Sequence, residues 1–331
     1  MGARSTRRVV ASVGATLLAA AVLAACGTGQ VGDTGTSGAA GNKKLVLIPG
    51  VKAEPFYISM QCGAQEEARS RGYELETQPP DRFEAALQTP ILTGAIANRP
   101  AGILIAPTDD RAMAGPMKQG RDAGVTMVEV DTALQDTSIA VASVSSDNEQ
   151  GGRKAAETLA TLVGDRQGSV LVLNTIAGTS TTDARAKGFE QEIAKHPNLR
   201  YLGAEYTNNQ PAEAAQKVSA TLSANPDLIG VFATNLNTGE GAGTALRNAG
   251  RTGSVNLVGF DASPKQVEDL RNGVVQALIA QDPATIGRRG VEQAVNAIEG
   301  KPVQRRTQTD LVAITGQDMA ANEQYFYRTQ C

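Results

Sequence analysis

From Lys44 onward the chain repeats one unit, a short apolar run followed by a longer stretch of helical period. The runs fall at 45–48, 73–77, 102–106, 126–130, 169–173, 228–233, 255–260 and 275–280. Runs that are apolar at nearly every position, separated by helical stretches, are the mark of a parallel sheet covered on both faces, because parallel neighbours must be joined by crossover helices. Helices expected at 56–71, 113–123 and 244–249 stop at Gly72, Gly124 and Gly250, where glycine takes the left-handed cap conformation. The fold class is therefore α/β.

The alternation also repeats on a larger scale. Arg121-Asp-Ala-Gly-Val-Thr-Met-Val-Glu-Val-Asp131 is echoed by Arg247-Asn-Ala-Gly250 followed by Val255-Asn-Leu-Val-Gly-Phe-Asp261, so that in both a helix ends in Ala-Gly and the next strand ends in aspartate. Upstream, Ile105-Ala-Pro-Thr-Asp109 and Phe232-Ala-Thr-Asn235 occupy matching places. Two similar Rossmann-like lobes follow from this. Ligands of open α/β sheets bind beyond the carboxyl ends of the strands, so facing lobes would point Asp131 and Asp261 into a shared cleft. The competing reading is that each aspartate only caps the next turn or helix.

The first residues bear on the compartment. Arg4, Arg7 and Arg8 precede an apolar, alanine-rich run over 9–25 that is too short for a spanning helix of an otherwise polar chain and reads as a signal peptide, 1–25. It ends in Leu23-Ala24-Ala25-Cys26, which resembles a lipobox, so cleavage before Cys26 would leave a lipid on its thiol and anchor the exported protein to the outer face of the cell membrane. The stretch 26–43, nearly all Gly, Ser, Thr, Ala and Asp, is read as a flexible tether. With Cys26 lipidated, Cys62 and Cys331 remain as an even pair in an oxidising compartment, and a disulfide between them is expected; two unpaired thiols are the alternative. A net charge of -3 with no basic block argues against nucleic acid. The only histidine, His196, and the cysteines have no metal-ligand spacing, and no metal or cofactor is expected.

The order and spacing of several short pieces resemble the ribose-type solute-binding proteins of bacterial sugar ABC transporters, a fold shared with the ligand domains of lac-repressor-like regulators. These pieces are Glu54-Pro55-Phe56-Tyr57, Pro107-Thr108-Asp109, Asp131, Ser146-Asp147-Asn148, Gly178-Thr179-Ser180 with Arg185 and Gly188-Phe189, Asn235, Gly259-Phe260-Asp261, and Ala280-Gln281. The resemblance implies a type I periplasmic binding protein: two lobes, three hinge segments and a ligand cleft between them. One lobe would be 44–146 plus 282–309, the other 147–281 plus 310–331. It implies a pocket of Glu54, Phe56, Tyr57, Asp131, Arg185, Asn209, Asn235, Asp261 and Gln281, a sugar or polyol ligand, a membrane permease as partner, and a monomer. Such residues suit sugars on chemical grounds as well, since aromatic faces cover ring C–H groups while carboxylates, amides and a guanidinium bond hydroxyls in fixed directions.

The chain departs from the family pattern at Glu54, where asparagine is usual, at Ala106, at Thr132, where an arginine often follows the aspartate, at Asn209, where an aromatic often sits, and at Leu236-Asn237-Thr238. Three carboxylates then stand against one guanidinium, which disfavours phosphorylated sugars and allows neutral or amine-bearing ones. Other classes fit these residues less well. A dinucleotide enzyme would use Gly239-Glu-Gly-Ala-Gly243 with Asp261, but these glycines come several residues after the strand tip. No P-loop, serine elbow or placed histidine supports other enzyme chemistry. The export signal stands where a regulator would carry its DNA-binding domain. A surface receptor that reports its ligand to a membrane sensor would use the same closed form.

Overall fold

The computed structural model describes residues 42–331. The expected signal peptide, the lipidated Cys26 and nearly all of the tether lie outside the described residues. In chain order the elements are β1 (Lys44–Ile48), α1 (Pro55–Ser70), β2 (Glu74–Thr77), α2 (Ala85–Ala97), β3 (Gly102–Ile105), α3 (Ala114–Asp122), β4 (Thr126–Val130), β5 (Ala142–Ser146), α4 (Asn148–Val163), β6 (Gly168–Asn174) and α5 (Ser180–Ile193). There follow β7 (Leu199–Tyr206), α6 (Pro211–Ala224), β8 (Leu228–Ala233), α7 (Leu236–Asn248), β9 (Asn256–Phe260), α8 (Pro264–Arg271), β10 (Ala277–Ala280), α9 (Pro283–Ile298), β11 (Arg306–Thr309), β12 (Val312–Thr315) and a 3-10 helix at Met319–Tyr325.

The strands form two six-stranded sheets, ordered β11-β5-β4-β3-β1-β2 and β12-β10-β9-β8-β6-β7. Each is the centre of one α/β lobe. The chain passes between the sheets three times, from β5 to β6, from β10 to β11, and from β11 to β12. At the first two crossings a strand runs directly into a helix start: the Asp147 side chain accepts from Gln150 N, and that of Asp282 from Thr285 N ahead of Pro283. An aspartate cap and a first-turn proline set where a helix begins, so the hinge segments are short and their exits are fixed.

The central strands β1, β3, β4, β8, β9 and β10 are buried on both faces, which is why they read as continuous apolar runs. Strands at 142–146, 199–206 and 306–309 were not expected from the pattern. β7 and β11 are edges and β5 lies next to an edge, and half-exposed strands such as Arg306-Thr307-Gln308-Thr309 carry no continuous apolar signal. One strand departs from the parallel arrangement: β12 lies antiparallel to β10, with Ala280 opposite Val312.

The two lobes repeat one packing device. A Cβ on Gly63 would lie 2.0 Å from Ala284 O, and one on Gly287 2.0 Å from Met60 O, so α1 and α9 touch backbone to backbone. In the second lobe Gly152 and Gly188 do the same for α4 and α5, with Arg185 O at 1.9 Å from a Cβ on Gly152. Those glycines set the seat of the helix that carries Arg185.

The expected helix at 244–249 starts earlier than its pattern indicated, at Leu236. Gly239, Gly241 and Gly243 therefore lie inside a helix and do not form a phosphate-binding turn at a strand tip. A Cβ on Gly241 would meet Pro211 O at 2.2 Å, so its absence lets α7 sit close to α6. An Asn235/Thr238 capping box starts α7 and outweighs the low helix propensity of those glycines.

Candidate ligand-binding site

Between the carboxyl ends of the two sheets lies a cavity enclosing about 410 Å³ of empty space, where ligands of open α/β sheets bind. All nine residues proposed from the sequence line it: Glu54, Phe56, Tyr57, Asp131, Arg185, Asn209, Asn235, Asp261 and Gln281. The lobes meet around it. Asp110 N donates to Gly178 O at 3.1 Å, Ala133 N to Ser180 Oγ at 2.9 Å, and Asn237 Nδ2 to Glu54 Oε2 at 3.4 Å. A wider recess begins on the other side of Glu54, Phe83 and Asn209, which line both.

Asp131 and Asp261 occupy equivalent places just past β4 and β9, and both have positive φ, 66° and 80°. That region is costly for residues other than glycine, though aspartate and asparagine tolerate it best, and such outliers gather at functional sites. Each carboxylate is thereby turned out of its strand. Asp131 accepts from the Tyr57 hydroxyl at 2.9 Å. Asp261 accepts from Leu236 N at 2.9 Å, Gln281 Nε2 at 2.7 Å and the Tyr327 hydroxyl at 2.9 Å.

Arg185 is 3% exposed, so it is not the partner of a surface ion pair. Its Nε donates to Asn148 Oδ1 at 2.9 Å and its Nη1 to Thr234 O at 2.8 Å, and its guanidinium lies 3.7 Å over the Phe260 ring. A guanidinium has five N–H donors. Two of these five have acceptors among the described residues, and the side chain is locked in place by the ring and both bonds. Burial lowers its pKa, while the carboxylates of Asp261 and Asp131 oppose that shift.

Burial also revises the charge count made from sequence. Glu54 is only partly buried as a residue, yet desolvation of its carboxyl, then repulsion from Asp261 and Asp131, pushes it up to about 8. At neutral pH it is mostly protonated; it accepts from Asn237 and has a proton to donate to a ligand. Asp131 is raised to about 6 by burial, against the pull of Arg185 and the Tyr57 hydrogen bond. The fixed excess of negative charge expected from counting carboxylates is thus smaller than it looked.

Asn209 has an unusual backbone as well, with φ 55° next to Asn208 at 49°. Its Oδ1 accepts from Asn235 Nδ2 at 2.7 Å and from Asn237 Nδ2 at 3.1 Å. Since Asn237 also donates to Glu54, three amides and a carboxyl form one network across the cleft. Gln281 sits on a hinge: its Oε1 accepts from Ser146 Oγ at 2.8 Å, and its amide holds Asp261.

The cavity also contains residues that the sequence reading did not place there: Phe83, Thr132, Thr175, Thr179, Thr181 and Thr182. Thr132 follows Asp131 where the family pattern often has an arginine. Its hydroxyl donates to Pro107 O at 2.8 Å, and Thr175 and Thr182 pair at 2.7 Å. Thr179 Oγ1 is buried without a hydrogen-bond partner in the protein. Phe83 supplies an aromatic wall where Asn209 does not. Nothing in its local pattern marks it, because it lies in a loop before α2.

The expected disulfide is present, Cys62 to Cys331 with an S–S distance of 2.08 Å. No helix of the described residues is long and apolar enough to cross a membrane.

Comparison with known proteins gives one consistent picture. Residues 45–302 match the family model described as periplasmic binding protein domain. The chain is 31% identical over 307 residues to the ribose import binding protein of Escherichia coli, covering 92% of this chain and 98% of that one. Among solved structures, it is similar to an ABC transporter solute-binding protein of Agrobacterium vitis bound to α-D-tagatopyranose, with a TM-score of 0.84, 36% identity, and coverage of 86% of this chain and 99% of that chain. A second Agrobacterium vitis solute-binding protein, with D-fucose bound, has a TM-score of 0.81 at 26% identity, over 86% of this chain and all of that one.

Proposed function

The chain belongs to the periplasmic binding protein family, and from that premise we propose that it is the solute receptor of an ABC importer, taking a monosaccharide or polyol between its lobes and delivering it to the membrane permease. The observation that carries this reading is the convergence of directional polar groups from both lobes on one cavity with aromatic walls. Asp131, Tyr57 and Glu54 come from one side, and Arg185, Asn235 and Asp261 from the other, with Phe56 and Phe83 alongside.

The chemistry fits a neutral polyhydroxylated ligand. Carboxylates accept from hydroxyls, Arg185 donates, the protonated Glu54 does either, and the buried Thr179 hydroxyl gains a partner. A hydrogen bond to a charged group contributes about 1.5–3 kcal/mol, so three or four supply the roughly 8 kcal/mol of micromolar binding. In our reading the lobes are 44–146 plus 282–309 and 147–281 plus 310–331, hinged where the chain crosses between sheets. Contacts made from both sides stabilise the closed form, which the permease recognises. Cys26 carries a lipid that holds this monomeric receptor on the outer face of the membrane.

A thermal-shift series on the purified protein tests the ligand class, because a ligand bound only by the folded state raises the melting temperature. Pentoses, hexoses including D-tagatose, alditols and inositols are compared with nicotinamide dinucleotides. A rise with a sugar or polyol is expected. A rise with a dinucleotide alone would overturn the reading. Fractionation of cells making wild-type and Cys26→Ala protein tests the anchor: the wild type is expected with membranes and the variant free of them.

A further inference from the structure

The carboxylate at the centre of the proposed pocket is held from outside both lobe sheets. After β12 the chain runs through the 3-10 helix and returns to the cleft at Tyr327, which is 5% exposed. There its N donates to Ala262 O at 3.0 Å, its hydroxyl donates to Asp261 Oδ1 at 2.9 Å and accepts from Gln281 N at 3.3 Å, and its ring lies edge-on to Phe56 at 5.8 Å. One residue later the tail changes sides. Arg328 N donates to Ser59 Oγ on α1 at 2.7 Å, and Cys331 is bonded to Cys62 on the same helix.

We infer that Tyr327 is a positioning residue for ligand binding, and that the Cys62–Cys331 bridge is what keeps it in register with Asp261. A carboxylate offers about four acceptor sites. Leu236 N occupies one on Oδ2, while Gln281 and Tyr327 occupy two on Oδ1. Tyr327 therefore decides which acceptor is left and in which direction it points. With the hydroxyl gone, Oδ1 has a free acceptor and the carboxylate has one restraint fewer against rotation.

The tail reaches this position only because it is tied at both ends. Upstream it continues from β12, on the sheet that carries Asp261; downstream it is covalently attached to the helix that carries Phe56 and Tyr57. Without the bridge, the last four residues keep the Ser59 hydrogen bond, the Arg328–Glu66 ion pair at 3.6 Å and a 3.8 Å contact of Cys331 Sγ with Ile58 O to α1. That pair is exposed and holds weakly.

The inference rests on the sugar-binding reading, and its test separates the two. Affinities for D-tagatose and D-ribose are measured by calorimetry on wild-type, Tyr327→Phe and Cys331→Ser proteins, together with melting temperatures without sugar. Tyr327→Phe is expected to weaken whichever sugar the wild type binds by about tenfold to a hundredfold, with a ligand-free melting temperature lower by only a few degrees, since Gln281 N loses its acceptor. Cys331→Ser is expected to reproduce part of that loss. Wild-type binding with Tyr327→Phe within twofold of it overturns the inference and leaves the function intact. If the wild type binds neither sugar, the crystal structure of Tyr327→Phe decides: an Asp261 carboxylate turned from its wild-type rotamer supports the positioning role, and an unmoved one rejects it.

Discussion

Asp131 and Asp261 are the same residue type at the same place in two similar lobes, and the protein treats them differently. Both leave their strand with positive φ. Asp261 then receives three donors, one from backbone and two from side chains, whereas the side chain of Asp131 receives one, from Tyr57. A carboxylate with three fixed donors has a set direction; one with a single phenol can turn with its neighbour, and burial, which the Tyr57 hydrogen bond only partly offsets, raises Asp131 to about 6. The internal repeat thus supplied two equivalent acids, and their surroundings made one a rigid anchor and the other an adjustable contact.

The largest test of that difference is removal of the anchor. Asp261→Ala is expected to weaken sugar binding by at least a hundredfold and to abolish sugar-induced compaction in solution scattering. It also leaves the Leu236 N–H, the Gln281 amide and the Tyr327 hydroxyl without their acceptor, at about 1–3 kcal/mol for each buried donor left unmade. Unchanged compaction would remove Asp261 from the role. Asp131→Ala is expected to cost about tenfold, since one donor is released and Tyr57 can seek water. Equal losses for the two alanine variants would break the comparison.

The contrast was only half legible in the sequence. The paired Ala-Gly helix ends and strand-end aspartates placed both acids in one cleft, because strand ends and glycine caps are local signals. Arg185, Asn235 and Gln281 were legible through resemblance at matching positions. What could not be read was support that arrives from far along the chain. Tyr327 lies 66 residues from Asp261 in sequence, and Phe83 comes from a loop. Edge strands such as β11 escaped for a related reason, being polar where their backbone pairs with β5. The early start of α7 escaped because its glycines serve packing, Gly241 against α6 and Gly239 beside Gln266, which sequence spacing does not record.

A third test uses protonation. Asp131 has a native pKa of about 6 against an ordinary value of 3.8, so the folded protein keeps a proton that the unfolded chain has lost between those values. Its contribution to stability therefore falls as pH rises through that window and is constant above it. Asp131→Asn keeps the shape, tolerates positive φ and removes the titration. Melting temperatures from pH 4 to pH 7 are expected to show a shallower dependence in the variant, and identical slopes would contradict the buried, adjustable acid described above.

The smallest effect belongs to Glu54, the acid that bridges the lobes through Asn237. Its native value is about 8 and its ordinary value 4.5, so the same sign applies over a higher window: stability declines from about pH 4.5 to pH 8 and no further. The groups that face it, Asp261, Asp131 and Glu240, are all acidic, and Asn237 is its one hydrogen-bond donor. Above pH 8 a third carboxylate would face a neutral sugar, and affinity should fall severalfold between pH 7 and pH 9. Glu54→Gln mimics the protonated acid and should bind as the wild type does at pH 7 while losing that decline. Because Asp261 and its three donors are untouched, a Glu54→Gln protein that still weakens from pH 7 to pH 9 would move the pH sensitivity away from the cleft's adjustable acids.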